Sequence, residues 1–280
     1  MAERLQFAIF HVARDRAQFL SWLFSKPLPA NRSAKDFTLE ELLQYIGEAP
    51  SSQEIFRGNL SVLRKTIEDD FHFPLSSEDT RSLDYVYASF WRANLRIGFS
   101  FGNSYGSYGS YGFPGLKDLI LATDFNGNLG HFLAIDQDYQ FVRTLQEQNR
   151  VIPVVGDFAG KKALASVGEY LRKNGYTVSA FYTSNVEQFL FENDVFPAYA
   201  DNVRKLPVND KSVFIRAARI GWTKHPAAVA GERMTPLLQK IAVFDEDYQQ
   251  GLITDYWSLI SKHYIAATEP RKPAPAATAP

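Results

Sequence analysis

The sequence contains no cysteine at any of its 280 positions. This absence excludes disulfide bonds, catalysis by a thiolate and zinc sites built on cysteine, although it does not identify a compartment. The five histidines are scattered and form neither an HxH nor an HExxH pattern, so the sequence has no local metal motif. We therefore expect a protein without a bound metal.

Long hydrophobic runs and an excess of one charge are missing as well. No apolar stretch approaches the roughly 20 residues that a transmembrane helix needs. The segment 1–24 carries charges within its apolar part and lacks a small-residue cleavage site, unlike a signal peptide. Thirty Lys and Arg balance 31 Asp and Glu, and no basic cluster with interleaved aromatics is present. We expect neither nucleic acid nor a membrane as a partner, and a cytoplasmic location by default.

Several catalytic motifs are absent too. The chain has no GxSxG, GxGxxG or Walker A pattern, which disfavours serine hydrolases, dinucleotide-dependent dehydrogenases and P-loop enzymes. The DFNGN segment at 124–128 resembles the start of a calcium loop, but its twelfth position is Ile135 instead of glutamate. A nucleophilic Ser184 would need a histidine base, and no histidine stands in a context that commits it to that role.

The residues that are present suit a large core. The chain is 45% hydrophobic and 14% aromatic, so it needs no metal or disulfide to fold. Apolar periodicity predicts an amphipathic helix over 1–24, a helix opened by Thr38 and Glu41 at capping-box spacing, and a helix over 51–71. A further helix ends in Leu95–Phe101, whose alternation indicates a strand.

The segment 151–191 has the pattern of a complete strand, turn, helix, strand, turn, helix unit. Val151–Val155 is a short apolar run, Gly156–Gly160 supplies a turn, and a helix follows until Asn174 and Gly175. Tyr176–Thr183 predicts a second strand, and Ser184 and Asn185 are N-cap candidates for the next helix. The order indicates an α/β protein.

Downstream, the pattern predicts a short strand at Ser212–Arg216 and helices at Arg233–Phe244 and Asp247–Tyr264. The segment Ala266–Pro280 is rich in Pro and Ala, and we expect it to be disordered.

The polar residues after the predicted strands are candidates for a ligand site, because open α/β sheets bind ligands outside the carboxyl ends of their strands. Structural roles are open for the same residues. Asp157 and Asn185 are also typical helix caps, Glu187 complements the dipole of a first helical turn, and Arg216 suits either an anion or an ion pair.

Three Tyr-Gly steps lie in the segment 101–114. A tolerated insertion in an exposed loop explains them, and so does a lid whose Tyr105 and Tyr108 close over a ligand.

Four blocks carry a resemblance to a known family: IPVVGDFAG, KALASVGEYLRKNG, VSAFYTSNVEQFLF and LPVNDKSVFIRA. From about Leu5 to about Ala217 the chain resembles an uncharacterised bacterial family with the Rossmann fold of class I S-adenosylmethionine methyltransferases. The resemblance implies that an acidic residue after the third strand contacts adenine and that the segment after the fourth strand lines the substrate side. The implied cofactor-binding residues are Gly156, Asp157, Phe158 and Gly160, and the substrate-side candidates are Thr183, Ser184, Asn185, Glu187, Arg216, Tyr105 and Tyr108.

The chain departs from that family at its start. The glycine-rich first strand and the second strand with its acidic end have no counterpart in the sequence, and an apolar helix stands there instead. We expect a Rossmann-like sheet that is N-terminally incomplete, in a single domain over residues 1–265. That domain has a helical insertion at about 38–121, a core at about 122–217 and a helical extension at 218–265.

The expected function follows from the resemblance: a methyltransferase-like protein that binds S-adenosylmethionine in an incomplete cofactor site and acts on an unknown small molecule. The alternative is a non-catalytic interaction protein that uses its aromatic-rich surface and the Tyr-Gly loop. Both the substrate and the oligomeric state stay open.

Overall fold

The computed structural model describes residues 1–29, 36–98, 114–124, 126–219, 225–228 and 234–265. These residues pack into two compact units, the first within Met1–Pro153 and the second within Val154–Pro270. Each unit has its own cluster of buried apolar side chains. The expected single domain over 1–265, with internal boundaries near 38, 122 and 218, does not follow this division and stays a prediction.

The first unit is helical in its described part. Its core is made of the apolar helix faces, with Leu5, Ile9, Leu42, Leu63 and Tyr87 fully buried. Its helices are α1 (Ala2–Val12), α2 (Arg16–Phe24), α3 (Leu39–Glu48), α4 (Gln53–Lys65) with a π-helical turn (Thr66–Asp70), α5 (Ser77–Ala93) with a 3₁₀ turn (Asn94–Arg96), α6 (Leu116–Ile120) and α7 (Asp136–Glu147).

Side-chain caps determine where several of these helices begin. The Thr38 hydroxyl accepts the Glu41 N–H and the Glu41 carboxylate accepts the Thr38 N–H, which confirms the predicted capping box. The segment 1–24, predicted as one helix, forms two. The Asp15 carboxylate accepts the Gln18 N–H at 2.8 Å and starts a new helix there.

A buried arginine joins three segments of the first unit. Arg16 Nη1 donates to the carbonyl oxygens of Leu133 and Ala134, and its Nη2 donates to that of Phe37 at 2.8 Å. Burial lowers the pKa of this guanidinium. The side chain therefore satisfies backbone carbonyls that the packing removes from water.

The second unit combines helices with a small mixed sheet of order β1-β2-β3 in the described residues. Strands β1 and β2 are parallel, with Ala180 opposite Val213, and β3 runs antiparallel to β2. The two helices between β1 and β2 form the crossover that a parallel pair requires. The fold is therefore α/β, as predicted. The elements are α8 (Ala163–Lys173), β1 (Ala180–Ser184), α9 (Val186–Glu192), α10 (Phe196–Val203), β2 (Val213–Arg219), β3 (Met234–Lys240), α11 (Ile241–Gln249) and α12 (Tyr256–Ser261).

The core of the second unit is built largely from aromatic rings. Phe214 of β2 meets Phe244 of α11 edge to face at 5.1 Å between ring centroids. Phe196 of α10 packs beside Tyr199 and beside Phe244. Aromatic pairs of this geometry hold the two helices against one face of the sheet.

The predicted strand at Val151–Val155 is wrong. These residues pair with no strand among the described residues, and all five are exposed, Val155 at 96%. An extended segment becomes part of a sheet only when a neighbouring strand accepts its backbone hydrogen bonds. An apolar pattern does not reveal whether that neighbour exists.

The predictions after residue 230 are also partly wrong. The helix predicted at Arg233–Phe244 is strand β3 followed by α11, and inward and outward positions alternate along β3. The helix predicted at Asp247–Tyr264 is interrupted, because Gly251 has a φ of +70° before α12 begins.

Three other expectations concern segment ends. The strand predicted at Tyr176–Thr183 begins only at Ala180. In the described part of Leu95–Phe101 a 3₁₀ turn replaces the predicted strand, followed by a single bridge between Gly98 and Gly115. The segment Ala266–Pro280 lies outside the described residues.

Candidate functional site

The end of β1, the start of α9 and the middle of β2 bring together three predicted site residues, Thr183, Glu187 and Arg216. Strand β2 continues to Arg219, so Arg216 does not stand at the end of its strand as predicted. Arg216 Nε donates to Glu187 Oε2 at 2.6 Å and Arg216 Nη2 donates to Glu187 Oε1 at 3.0 Å. The Thr183 hydroxyl donates to the same carboxylate at 3.1 Å. Arg216 is 1% exposed and Glu187 is 0% exposed. Of the two roles open to Arg216, the structure shows the ion pair, and its partner is another candidate site residue.

Two residues that the sequence analysis did not single out complete this network. The Tyr199 hydroxyl donates to Glu187 Oε1 at 3.0 Å, and Arg216 Nη1 donates to Gln239 Oε1 at 2.5 Å. The guanidinium carbon also lies 4.1 Å from the ring centroid of Phe214. Gln239 was missed because its segment was predicted as a helix. With a correct strand assignment, Gln239 would stand out as a polar residue at an inward position of β3.

The surroundings of the Glu187–Arg216 ion pair disfavour ionisation of the two tyrosine hydroxyls nearby. Burial, and then the negative charge of Glu187, raise the pKa of the Tyr199 hydroxyl well above its usual value. The same two causes raise the pKa of Tyr256 to about 12. Tyr256 Oη is buried without a hydrogen-bond partner. Both phenols therefore stay protonated at neutral pH.

Ser184 has an unusual backbone at the end of β1. Its φ is +53°, and the pairing with β2 is irregular between Tyr182 and Ser184. Its hydroxyl donates to Asn185 Oδ1 at 3.5 Å. Asn185 is the N-cap residue of α9, but its side chain makes no capping hydrogen bond. This strained backbone conformation places the Ser184 hydroxyl and the Asn185 amide at the turn between β1 and α9.

The histidines do not serve Ser184. In the second unit, His225 bonds the Ile260 carbonyl oxygen and the Ala227 N–H, and His263 Nδ1 bonds the Asp247 carboxylate. Within the described residues no histidine bonds the Ser184 hydroxyl, so the base that a nucleophilic serine would need is not seen there.

Asp157 lies in the Gly156–Gly160 turn and is not the helix cap that the sequence left open, because α8 begins at Ala163 with Lys162 as its N-cap residue. Asp157 Oδ1 accepts the Ala159 N–H at 2.9 Å, which stabilises the turn. Asn202 Nδ2 donates to the Phe158 and Gly160 carbonyl oxygens at 3.0 and 2.8 Å. The Phe158 ring stacks on Phe181 of β1 at 6.2 Å, so the turn lies beside the first strand.

Gly156 is exposed but packs closely on the start of α8, because a Cβ added there would stand 2.3 Å from the Cβ of Ala163. The Asp157 side chain is exposed. Asp157 is thus the accessible acidic group of the turn.

One edge of β1 is open. The Val213 N–H donates to the Ser179 carbonyl, and partners alternate along a parallel ladder, so the backbone groups of Ala180 and Tyr182 face away from β2. In the part of the chain that the structure describes, β1 pairs with β2 alone. Tyr182 is 64% exposed.

Tyr105 and Tyr108 lie outside the described residues, and their role as a lid stays a prediction. Among the residues that the structure does describe, no group of three or more acidic, histidine or cysteine side chains could hold a metal ion. No helix in those same ranges has the length and apolar character that crossing a membrane requires.

A comparison with protein families gives one finding. The model of a family described as "Domain of unknown function (DUF7790)" matches residues 96–267, more than half of the chain. No curated protein matches the sequence.

Proposed function

The chain belongs to the family described as "Domain of unknown function (DUF7790)", and we propose that it is a binding protein whose second unit accepts an extended segment of a partner protein. The observation that carries the proposal is the open edge of β1. Two of its residues, Ala180 and Tyr182, turn their backbone donors and acceptors away from β2. An added strand would satisfy these groups.

The composition of β1 supports this role. Proteins protect exposed edges with charged side chains, prolines or a covering element. The sequence Ala180–Ser184 reads AFYTS and contains neither a charge nor a proline. Tyr182 also offers a rigid aromatic surface that loses little conformational entropy on binding, which suits an interface.

The exposed apolar residues Val154 and Val155, at the start of the second unit, give further support. An apolar run in water loses the free energy that burial would provide, about 25 cal/mol for each Å² left uncovered. A binding partner that covers it recovers this free energy. The interaction surface predicted from the aromatic content thus has a candidate location within the second unit, at β1.

The polar network behind β1 suits a scaffold for binding. Arg216, Thr183 and Tyr199 each donate to the Glu187 carboxylate, so a ligand would compete with these existing bonds. These bonds fix the end of β1, the middle of β2 and the start of α9, and a rigid edge binds a strand at a lower entropic cost.

A peptide selection tests the proposal. Short peptides displayed on phage are selected on the full-length chain, and the enriched peptides are measured again on Tyr182→Pro and Tyr182→Ala. Proline removes the outward N–H without removing a bond to β2, whereas alanine keeps that N–H. We expect peptides with alternating apolar residues that bind Tyr182→Pro about tenfold more weakly than Tyr182→Ala.

Equal affinity for the two variants would contradict the proposal, and so would the absence of any enriched peptide. Circular dichroism of both variants checks that the fold is retained.

S-adenosylmethionine binding by a Rossmann-like, methyltransferase-like domain is the second candidate. It is favoured by the parallel β1 and β2 with their helical crossover, because doubly wound sheets are built from such units and often carry an antiparallel edge strand such as β3. The described residues fit the cofactor only in part. Asp157 is accessible to an adenine or ribose, but Gly156 packs on Ala163 and the Glu187 carboxylate is already occupied.

Calorimetry distinguishes this candidate. S-adenosylmethionine and S-adenosylhomocysteine are titrated into the wild-type chain and into Asp157→Ala. Binding that weakens about tenfold in the variant is expected if the carboxylate holds the cofactor. The absence of heat with either compound would exclude the cofactor.

A further inference from the structure

A cavity of about 570 Å³ lies in the first unit, away from the strands of the sheet. Its walls are α3, the 3₁₀ turn Asn94–Arg96 and α6. The volume is within the range of pockets that bind small molecules. The cavity is independent of the function proposed above, which concerns the second unit.

Opposite charges line different walls of this cavity. Helix α3 contributes Glu40 and Glu48, while the 3₁₀ turn contributes Arg96 and α6 contributes Lys117. In the described residues neither Arg96 nor Lys117 makes an ion pair, and Glu48 accepts only a neutral hydrogen bond, from Gln44 Nε2 at 3.0 Å. The two cations are therefore free to bind an anion, and the α3 wall favours a cation.

Asn94 holds the turn at the wall of this cavity in an unusual conformation. Its backbone has a φ of +51° and a ψ of −146°, a conformation that glycine adopts far more easily. Its Nδ2 donates to the Ile46 carbonyl oxygen at 3.3 Å, but its Oδ1 is buried without a partner. A buried acceptor without a donor is costly, and since this oxygen exposes almost no surface, it belongs to the strained turn itself and is not open to a ligand.

The rest of the lining is apolar. Leu43 and Leu95 are buried and Leu121 is half-buried, and all three line the cavity. An aliphatic group would pack on these leucines, while charged groups reach the polar walls.

We propose that this cavity binds a small zwitterion with an aliphatic side chain, such as a free α-amino acid or a dipeptide. Its carboxylate pairs with Arg96 and Lys117, for which the planar guanidinium offers two parallel N–H donors. Its ammonium group faces Glu40 and Glu48 of α3.

The ligand requirement is tested on the full-length chain with L-leucine and glycyl-leucine as probes, measured by ligand-detected NMR. Leucinamide lacks the carboxylate and 4-methylpentanoate lacks the ammonium group. We expect both probes to bind and both single-charge compounds to bind about tenfold more weakly. Probes that do not bind, or that bind no better than the single-charge compounds, overturn the proposal.

Three variants locate the site. Arg96→Gln removes one cation of the cavity, and Glu48→Gln removes one carboxylate of the opposite wall. Arg92→Gln is the matched control, because Arg92 is exposed on α5 and does not line the cavity. We expect about tenfold weaker probe binding in the first two variants and unchanged binding in the control. Equal binding by Arg96→Gln and Arg92→Gln places the probes elsewhere and overturns the assignment.

Discussion

Glu187 is the residue on which the interior of the second unit depends most. Its two carboxylate oxygens accept four hydrogen bonds, two from Arg216 and one each from Thr183 and Tyr199. A buried ion pair is expensive to desolvate, and it is favourable only when the remaining lone pairs are satisfied in this way.

Removing one partner of this pair should therefore be strongly destabilising. Glu187→Gln leaves the guanidinium buried without a counter-charge, and we expect a loss of about 3–5 kcal/mol in the free energy of unfolding. Urea denaturation followed by circular dichroism measures it. The double variant Glu187→Leu with Arg216→Met removes both charges and should recover much of the loss. A single variant within about 1 kcal/mol of wild type would show that the pair is not needed.

For the residues around Glu187, the sequence pattern predicts which residues matter better than it predicts their roles. Glu187 and Arg216 were predicted as site residues after successive strands, and they bond each other, although Arg216 lies in the middle of β2. That they bond each other could not be predicted, because Glu187 and Arg216 are distant in the sequence and only the register of β1 on β2 brings them together. Tyr199 was missed because an aromatic residue on a helix most often belongs to the core.

Close backbone packing determines how the elements of the second unit fit together. A Cβ added to Gly168 in the middle of α8 would stand 2.5 Å from the Lys205 carbonyl oxygen. Arg172 of the same helix donates to that oxygen. Helix α8 can approach the backbone at Lys205, just after α10, only because residue 168 has no side chain.

Gly168→Ala tests this contact. Alanine normally stabilises a helix interior, but here the clash should dominate and lower the free energy of unfolding by about 1–3 kcal/mol. Gly58→Ala in α4 is the matched control, because nothing lies within 4 Å of an added Cβ there. It should stabilise by about 0.5–1 kcal/mol. Chemical denaturation compares the two, and a stabilising Gly168→Ala would contradict the packing.

Local signals predicted some elements well and others poorly. The capping box at Thr38 and Glu41 identified the start of α3, because the hydrogen bonds involved are local in sequence. The sequence pattern predicts a helix where the structure has β3. The inward positions of this strand include the polar residues Thr235 and Gln239, so apolar and polar residues do not alternate along it as they do in a typical strand. The strand predicted at Val151–Val155 depended on a partner that the described residues do not supply.

At the scale of the whole molecule, two helix-rich units carry different candidate sites. The first has a cavity with charged walls, and the second has a strand edge without a partner. The described second unit has three strands, fewer than the sheet of a complete doubly wound domain. An open edge of uncharged residues in such a small sheet is the feature that a binding function explains best.

Hydrogen exchange at the edge of β1 tests this account most directly. The backbone N–H groups of Ala180 and Tyr182 point away from β2, whereas that of Phe181 points towards it. When a peptide obtained by selection is bound, the account predicts that exchange of the Ala180 and Tyr182 amides, followed by NMR, slows by about tenfold or more. The Phe181 amide should change much less. A bound peptide that leaves the Ala180 and Tyr182 amides unprotected would contradict the account.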